Sequence, residues 1–281
     1  MQNSALDGLK RSSLLFVSAC WVPLGSFLVL HTSAFAVERI LVTGSSTIAP
    51  LISEISKGYE KSHGGVEIET QTGGSAKGIA DCKSGRNDVA MVSRELNPDE
   101  KTLNSIEIAR DGLAFIVNNS NPVRNLSKEQ VLQIYTGKVS NWNQVGGLDK
   151  QIISVSKAEG RATLEVFMHY FGLKASEIKA SVVIGDEQQG IKTVAASDGA
   201  IAFLGVSTAV SAEKAEQKIH TISFDGKVPT VASVKSSEYP ITRKLLLVTC
   251  GKTKKLSQDF INYVKSSTGQ SLVEKLNFIP L

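Results

Sequence analysis

The stretch Gly44-Ser45-Ser46-Thr47-Ile48-Ala49-Pro50 follows a short apolar run, Ile40 to Val42, and opens a helical pattern. This order predicts a strand, a tight turn and the start of a helix. The first turn of a helix leaves backbone N–H groups unpaired and carries partial positive charge, so it can receive an oxyanion. Ser45, Ser46 and Thr47 add hydroxyl donors to this first polar turn. The alternative is that one hydroxyl only caps the helix.

Two further polar turns repeat the arrangement. The second, Thr72 to Ile79, follows the alternating strand Val66 to Thr70, and the third, Lys157 to Thr163, follows another short strand. Ser93-Arg94 ends a short buried strand, Asp88 to Val92. Strand–helix–strand units with short connections predict a parallel sheet, where ligands bind at the carboxyl ends of strands. Three such turns from two regions therefore predict one anion held between two lobes.

The rest of the chain continues the α/β pattern. An apolar strand, Ile106 to Val117, is interrupted by Arg110-Asp111-Gly112 and is followed by a linker, Asn118 to Pro122. Periodicity predicts helices at Lys128 to Tyr135, Thr163 to Phe171, Gln188 to Ala196, Ser257 to Lys265 and Gly269 to Lys275. It predicts strands at Ile152 to Val155, Val182 to Ile184, Ala200 to Phe203 and Ile241 to Val248.

Composition excludes several classes of protein. The chain has 281 residues, 42% of them hydrophobic and 21% charged, which is typical of a folded globular protein. The net charge of +4 is spread out and forms no basic stripe with aromatic residues, so nucleic-acid binding is not indicated. The four histidines are scattered and no Cys/His cluster is present in the sequence, so no metal and no cofactor are expected.

The first 36 residues have the pattern of a signal peptide. Lys10-Arg11 precede an apolar stretch, Leu14 to Leu30, and Ala34-Phe35-Ala36 supplies a cleavage site. The sequence therefore predicts an exported mature chain that starts near Val37, in the periplasm or secreted. The alternative is a lipid anchor, because Val17-Ser18-Ala19-Cys20 resembles a lipobox.

Cys82 and Cys250 remain in that mature chain. In an oxidising compartment they could form a disulfide, but two separate buried thiols fit the pattern equally well.

Several motifs resemble the PstS-like phosphate-binding proteins of ABC importers, and the likeness spans essentially the whole mature chain. They are the first polar turn, Gly73-Gly74-Ser75, Val92-Ser93-Arg94, Ile108 to Ala114, Asn119 to Val123 and Ile134 to Trp142. The resemblance implies a type II periplasmic binding fold, with two α/β lobes, a ligand cleft and two crossover strands. The expected division is residues 37–118 and 236–281 for the first lobe and 119–235 for the second.

The resemblance also implies which residues bind phosphate. The family uses a first Ser/Thr turn, the serine of the Gly-Gly-Ser turn, a Ser-Arg pair and a Gly-Ser-Gly-Thr-Arg turn. Here the last turn reads Gly160-Arg161-Ala162-Thr163-Leu164, so the terminal arginine is replaced and we expect Arg161 to take over its role. The expected ligand-binding residues are Ser45, Ser46, Thr47, Ser75, Ser93, Arg94, Arg161, Ala162 and Thr163.

The resulting hypothesis is a monomeric solute-binding protein that captures phosphate and delivers it to an ABC permease. The alternatives are the same fold binding another oxyanion and a signalling or adhesion module. A secreted phosphatase is disfavoured because Ser46, Ser75 and Thr163 have no histidine nearby in the sequence. A carboxylate facing the ligand would favour protonated phosphate over sulfate, and Asp111 or Glu159 is the expected acceptor. The expected hinges are Asn118 to Asn121 and Phe224 to Ser236.

Overall fold

The computed structural model describes residues 37–281, so the predicted signal peptide and Cys20 lie outside the described residues. The strands are β1 (Glu38–Gly44), β2 (Val66–Thr72), β3 (Val89–Val92), β4 (Asn104–Asn118), β5 (Asn125–Leu126), β6 (Ile153–Lys157), β7 (Val182–Ile184), β8 (Ala200–Gly205), β9 (Ile219–Phe224) and β10 (Thr242–Thr249). The α-helices are α1 (Ala49–Ser62), α2 (Ser75–Lys83), α3 (Lys128–Tyr135), α4 (Ala162–Phe171), α5 (Glu187–Ala196), α6 (Val206–Lys214), α7 (Val231–Lys235), α8 (Lys255–Lys265) and α9 (Ser267–Lys275).

The strands form one path in the order β2-β1-β3-β10-β4-β8-β6-β7, with β9 paired to β4 and β5 paired to β9. On one side, β1 runs parallel to β2 and β3; on the other, β6 runs parallel to β7 and β8. The predicted parallel strand–helix units are confirmed on both sides. The antiparallel strands β4 and β10 lie between them.

Strand β4 is continuous through Arg110-Asp111-Gly112, so the predicted interruption is wrong. Residues 104–112 pair with β10, and Leu113 to Val117 pair with β8. The sheet accommodates the charged Asp111 because it lies opposite Arg243 of β10, and the two side chains form an ion pair. β4 therefore carries the chain from a first half-sheet (β2, β1, β3, β10 and residues 104–112) to a second (residues 113–118, β8, β6, β7, β9 and β5).

Each half-sheet has its own hydrophobic core. The first core packs α1, α8 and α9 against β1 and β3, whereas the second is rich in aromatic rings such as the stacked pair Phe167 and Phe203. The change of core falls between Ala109 and Leu113 in β4, and between Ile241 and Leu245 at β10. Residues 118–121 and 224–236, which the sequence predicts as crossing points, lie beside β5, β9 and α7.

The remaining sequence predictions differ from the structure mainly at the ends of elements. The helix at 128–135 and the strand at 182–184 have the predicted bounds, but α6, β9 and α7 were missed. Cys82 of α2 and Cys250 after β10 form a disulfide across a Cα–Cα distance of 5.6 Å. Of the two alternatives for these cysteines, a disulfide or separate buried thiols, the structure has the disulfide. Between residues 37 and 281, no helix is long and apolar enough to cross a membrane.

Candidate functional site

The three polar turns meet at one small cavity, at the N-terminal ends of α1, α2 and α4. Because helix N-termini point unpaired N–H groups and partial positive charge outward, the cavity suits an anion. The lining residues are Ser45, Ser46, Thr47, Gly74, Ser75, Ser93, Lys157, Arg161, Ala162, Thr163 and Gly185. All of the expected ligand-binding residues except Arg94 are among them.

The first polar turn is fixed by close packing of β1 against β3. Gly44 has φ +137°, and a Cβ atom there would lie 2.3 Å from the Met91 carbonyl oxygen, so only glycine fits. The Ser45 N–H donates to the same carbonyl at 2.9 Å. Helix α1 then begins without a side-chain cap, because Ile48 occupies the N-cap position. Within the turn itself, the Ser45 hydroxyl accepts the Thr47 N–H at 3.2 Å and the Ser45 carbonyl accepts the Ala49 N–H at 3.1 Å, so Ser45 caps the turn that leads into the helix.

Ser93 and Ser75 connect the first polar turn to the end of β3 and to the start of α2. The Ser45 and Ser93 hydroxyls lie 2.8 Å apart, and the Ser75 hydroxyl accepts the Ser93 N–H at 3.1 Å. All three residues are at most 3% exposed. This buried chain of hydrogen bonds sets the positions of the hydroxyls around the cavity.

The second and third turns touch each other across the two half-sheets. The Ala76 N–H donates to the Gly160 carbonyl at 3.3 Å. Gly74 has φ +97°, and a Cβ atom there would lie 2.5 Å from the same carbonyl and 3.0 Å from Arg161 Cδ. Glycine at position 74 thus lets the two turns approach closely enough to enclose the cavity.

Two cationic side chains of the second half-sheet face the cavity. Lys157 is 4% exposed and its ammonium group donates to the Asp186 carbonyl at 2.8 Å. Burial lowers the pKa of Lys157 to about 8, against the opposing effects of Glu187 and Asp186. Arg161, which is partly exposed, occupies the N-cap position of α4, and its guanidinium reaches the neighbourhood of Gly185.

Arg94 is not among the described residues that line the cavity. Its guanidinium makes two hydrogen bonds to Glu100, at 2.6 and 3.0 Å, and an ion pair with Glu165 of α4. Burial raises the pKa of Glu100, but Arg94 outweighs it and the pKa lies below its ordinary value. A buried guanidinium with two carboxylate partners already has its charge compensated, so the geometry gives Arg94 a role in joining the half-sheets.

Arg243, which sequence patterns did not single out, is 4% exposed and lies in a buried network next to the cavity. It donates to Asp111 at 2.8 Å, to the Thr163 hydroxyl at 3.0 Å and to the Thr47 hydroxyl at 3.3 Å. Glu187, also missed, accepts from the same two threonine hydroxyls at 2.9 and 3.3 Å. The available signal was an arginine inside an apolar strand, which requires a buried partner.

Neither expected carboxylate faces the cavity. Asp111 is fully buried, pairs with Arg243 and accepts the Ser207 N–H at 3.0 Å. Burial raises the pKa of Asp111 even though Arg243 opposes the change. Glu159 is exposed at the tip of the third turn. In the part of the chain that the structure describes, no acidic residue lines the cavity.

Two α/β half-sheets with separate cores, joined by two antiparallel strands and enclosing a polar cavity at strand ends, define the class of two-lobed solute-binding proteins. The chain belongs to the PBP superfamily, because the PBP superfamily domain model matches residues 31–268. Its fold is the type II periplasmic binding protein fold.

Named relatives agree with this assignment. The chain is 29% identical over 248 residues to the Bacillus subtilis phosphate-binding protein PstS, covering 86% of this chain and 80% of the relative. A Clostridium perfringens structure, described as a candidate phosphate ABC transporter substrate-binding protein with bound phosphate, has TM-score 0.82 and 28% identity; the match covers 87% of this chain and 100% of that one. A Vibrio cholerae ABC-type phosphate transport receptor has TM-score 0.72 and 28% identity, with 86% and 100% covered. The resemblance seen in the sequence motifs is therefore confirmed.

Proposed function

We propose that this protein captures inorganic phosphate in the cavity and delivers it to the permease of an ABC importer. The observation that carries the proposal is the convergence of three helix N-termini, six hydroxyl side chains and two cations on one cavity whose described lining holds no acidic residue. Relatives named for phosphate binding and phosphate transport support the identity of the anion.

The proposed ligand-binding set keeps Ser45, Ser46, Thr47, Ser75, Ser93, Arg161, Ala162 and Thr163 and adds Lys157 in place of Arg94. Roughly five to seven charge-assisted hydrogen bonds at about 1.5 to 3 kcal/mol each give on the order of 8 to 20 kcal/mol before costs. Association costs about 4 to 15 kcal/mol, and micromolar affinity needs about 8. Micromolar or tighter binding is therefore accessible without a metal ion.

Charge compensation follows from the same set. Glu187 and Asp111 together balance Arg243 and one further cation, which leaves a positive charge from Lys157 and Arg161 for the ligand. An enclosed anion stabilises the charged form of Lys157 and raises its depressed pKa. Phosphate and a protonated Lys157 thus stabilise each other in the closed site.

We further propose that the two half-sheets act as lobes that close on the ligand. Contacts that join them beside the cavity include those between Ala76 and Gly160, Arg94 and Glu165, Thr47 and Glu187, and Arg243 and Thr163. The change of core within β4 and at the start of β10 makes these strands the proposed hinge, in place of residues 118–121 and 224–236.

The proposal treats the protein as an exported monomer that binds its ligand without chemical change. No histidine is among the described residues that line the cavity, and Lys157 there donates to the Asp186 carbonyl, an arrangement that suits binding of an anion. Binding of a different oxyanion and a signalling role remain the competing functions, and both predict a different titration result.

Isothermal titration of the mature chain with phosphate tests the proposal. We expect a one-to-one complex with micromolar or lower Kd. A Kd in the millimolar range for phosphate, together with tight binding of another oxyanion, would refute phosphate capture. Turnover of a phosphate ester by the same preparation would refute the non-catalytic role.

A further inference from the structure

Two threonine hydroxyls beside the cavity share the same pair of buried partners. Thr47 and Thr163, from opposite half-sheets, both lie within hydrogen-bond distance of Glu187 Oε1, at 2.9 and 3.3 Å. Both also accept from the Arg243 guanidinium, at 3.3 and 3.0 Å. Both residues line the cavity and are at most 4% exposed.

These partners fix the direction of each hydroxyl proton. A guanidinium only donates and an ionised carboxylate only accepts, so each hydroxyl must point its proton at Glu187 and one lone pair at Arg243. The other lone pair of each oxygen is its remaining hydrogen-bonding capacity. Toward an anion in the cavity, Thr47 and Thr163 therefore present acceptors and not donors.

The charged form of Glu187 is well supported by its surroundings. Burial raises the pKa of Glu187, but Arg243 and Lys157 outweigh that effect and the pKa lies below its ordinary value. Asp111 is the other acidic group close to Arg243, and it has its own hydrogen bond to that side chain. The Gly205 N–H donates to Glu187 Oε1 at 3.2 Å and holds this oxygen toward the threonines.

We infer that Glu187 is a specificity-determining residue that makes the Thr47 and Thr163 hydroxyls proton acceptors, so that the site selects a protonated oxyanion over a fully ionised one. The inference rests on the proposed function and identifies the residue through which the site would distinguish phosphate from sulfate.

The chemistry of the two anions explains the selection. Phosphate at neutral pH carries one or two protons, and its P–OH group donates to a threonine lone pair. Sulfate carries no proton, so its oxygens face lone pairs without a hydrogen between them, which is repulsive. Because no acidic residue in the described chain lines the cavity, the threonines supply the acceptors that a direct carboxylate contact would otherwise provide.

The test compares the ratio of sulfate Kd to phosphate Kd in the mature wild-type chain and three variants. Glu187→Met keeps the side-chain length but frees the threonine protons to turn toward the cavity, so the ratio should fall at least about tenfold. Thr47→Val combined with Thr163→Val removes the acceptors and should also lower the ratio by about tenfold or more. Glu187→Gln retains an oxygen where Gly205 N–H fixes it, so the ratio should stay within about threefold of wild type.

The ratio distinguishes a specificity role of Glu187 from a purely structural one, because a structural defect would weaken the binding of both anions alike. An unchanged ratio in Glu187→Met, or an equal fall in Glu187→Gln and Glu187→Met, overturns the inference while leaving phosphate capture intact. A wild-type chain that binds phosphate and sulfate equally also overturns it. If Glu187→Met fails to fold by circular dichroism, the double threonine variant decides the question. A wild-type chain that binds no phosphate refutes the proposed function itself.

Discussion

Replacing Lys157 with methionine should weaken phosphate binding. The same replacement should maintain or raise the unfolding free energy of the ligand-free protein. Lys157 is 4% exposed, and its pKa falls from 10.5 to about 8, chiefly because burial disfavours the charge of the ammonium group. That displacement corresponds to roughly 3 kcal/mol against the charged form in the empty protein. Loss of the hydrogen bond to the Asp186 carbonyl, about 1 to 3 kcal/mol, offsets part of the relief. We therefore expect the unfolding free energy without phosphate to stay equal or rise by up to about 2 kcal/mol.

The effect on the complex should be opposite. Removing one partner of an enclosed charge pair costs about 2 to 5 kcal/mol, so the phosphate Kd of Lys157→Met should rise by at least about 30-fold. Titration calorimetry gives the Kd, and thermal unfolding without and with phosphate gives the stability. Lys192→Met is the matched control, because Lys192 is exposed on α5 and does not line the cavity. An unchanged Kd in Lys157→Met, or an equal loss in the control, would refute the assignment of Lys157 to the ligand.

Three further predictions follow from the same contacts. The pKa of Lys157 is lower in the folded protein than in the unfolded chain, so its buried charge lowers the unfolding free energy fully below pH 8, and this cost disappears between about pH 8 and 10.5. Unfolding measured without phosphate should therefore show the wild-type free energy rising over that pH range relative to that of Lys157→Met. Glu165→Gln weakens the ion pair with Arg94 between the half-sheets, so the phosphate Kd should rise roughly 3- to 10-fold. The radius of gyration without phosphate, measured by X-ray scattering, should also increase. No change in either quantity would exclude a role of this ion pair in closing the lobes. Gly74→Ala places a methyl group 2.5 Å from the third polar turn and should raise the Kd about tenfold or more, whereas Gly85→Ala, with a similar positive φ and open space, should lower stability but leave the Kd unchanged; equal Kd values in the two variants would contradict the packing argument.

Local signals predicted most of the cavity lining. Glycine and hydroxyl residues between a strand and a helix specify a turn through their own backbone and side-chain chemistry, so Ser45, Ser75 and Thr163 could be identified without tertiary information. Parallel strand–helix units then implied that these turns meet at one edge. The parallel strand–helix units on both sides, and the meeting of the three polar turns at one cavity, could be predicted in this way.

The missed features depend on contacts between distant residues. Arg243 and Asp111 are 132 positions apart, and only the pairing of β4 with β10 makes each a partner for the other. The same pairing explains why a charged segment that resembled a break is part of a continuous strand. The Cys82–Cys250 disulfide spans 168 positions, and periodicity could not decide whether those thiols meet.

Arg94 illustrates a different limit. The family motif places Arg94 just after β3, but the contacts that orient its side chain come from other segments of the chain. Glu100 is held by the Asn97 N–H at 2.9 Å and presents both oxygens to Arg94, which draws the guanidinium away from the cavity. Lys157, the last residue of β6, lines the cavity although the family motif gives it no ligand contact.

A crystal structure of the mature chain grown with phosphate tests the central claim most directly. The account predicts a tetrahedral anion in the cavity, within hydrogen-bond distance of Ser75, Thr163 and Lys157, with Arg94 still paired to Glu100. An anion bound elsewhere, or one contacted by Arg94 while Lys157 points away, would contradict it.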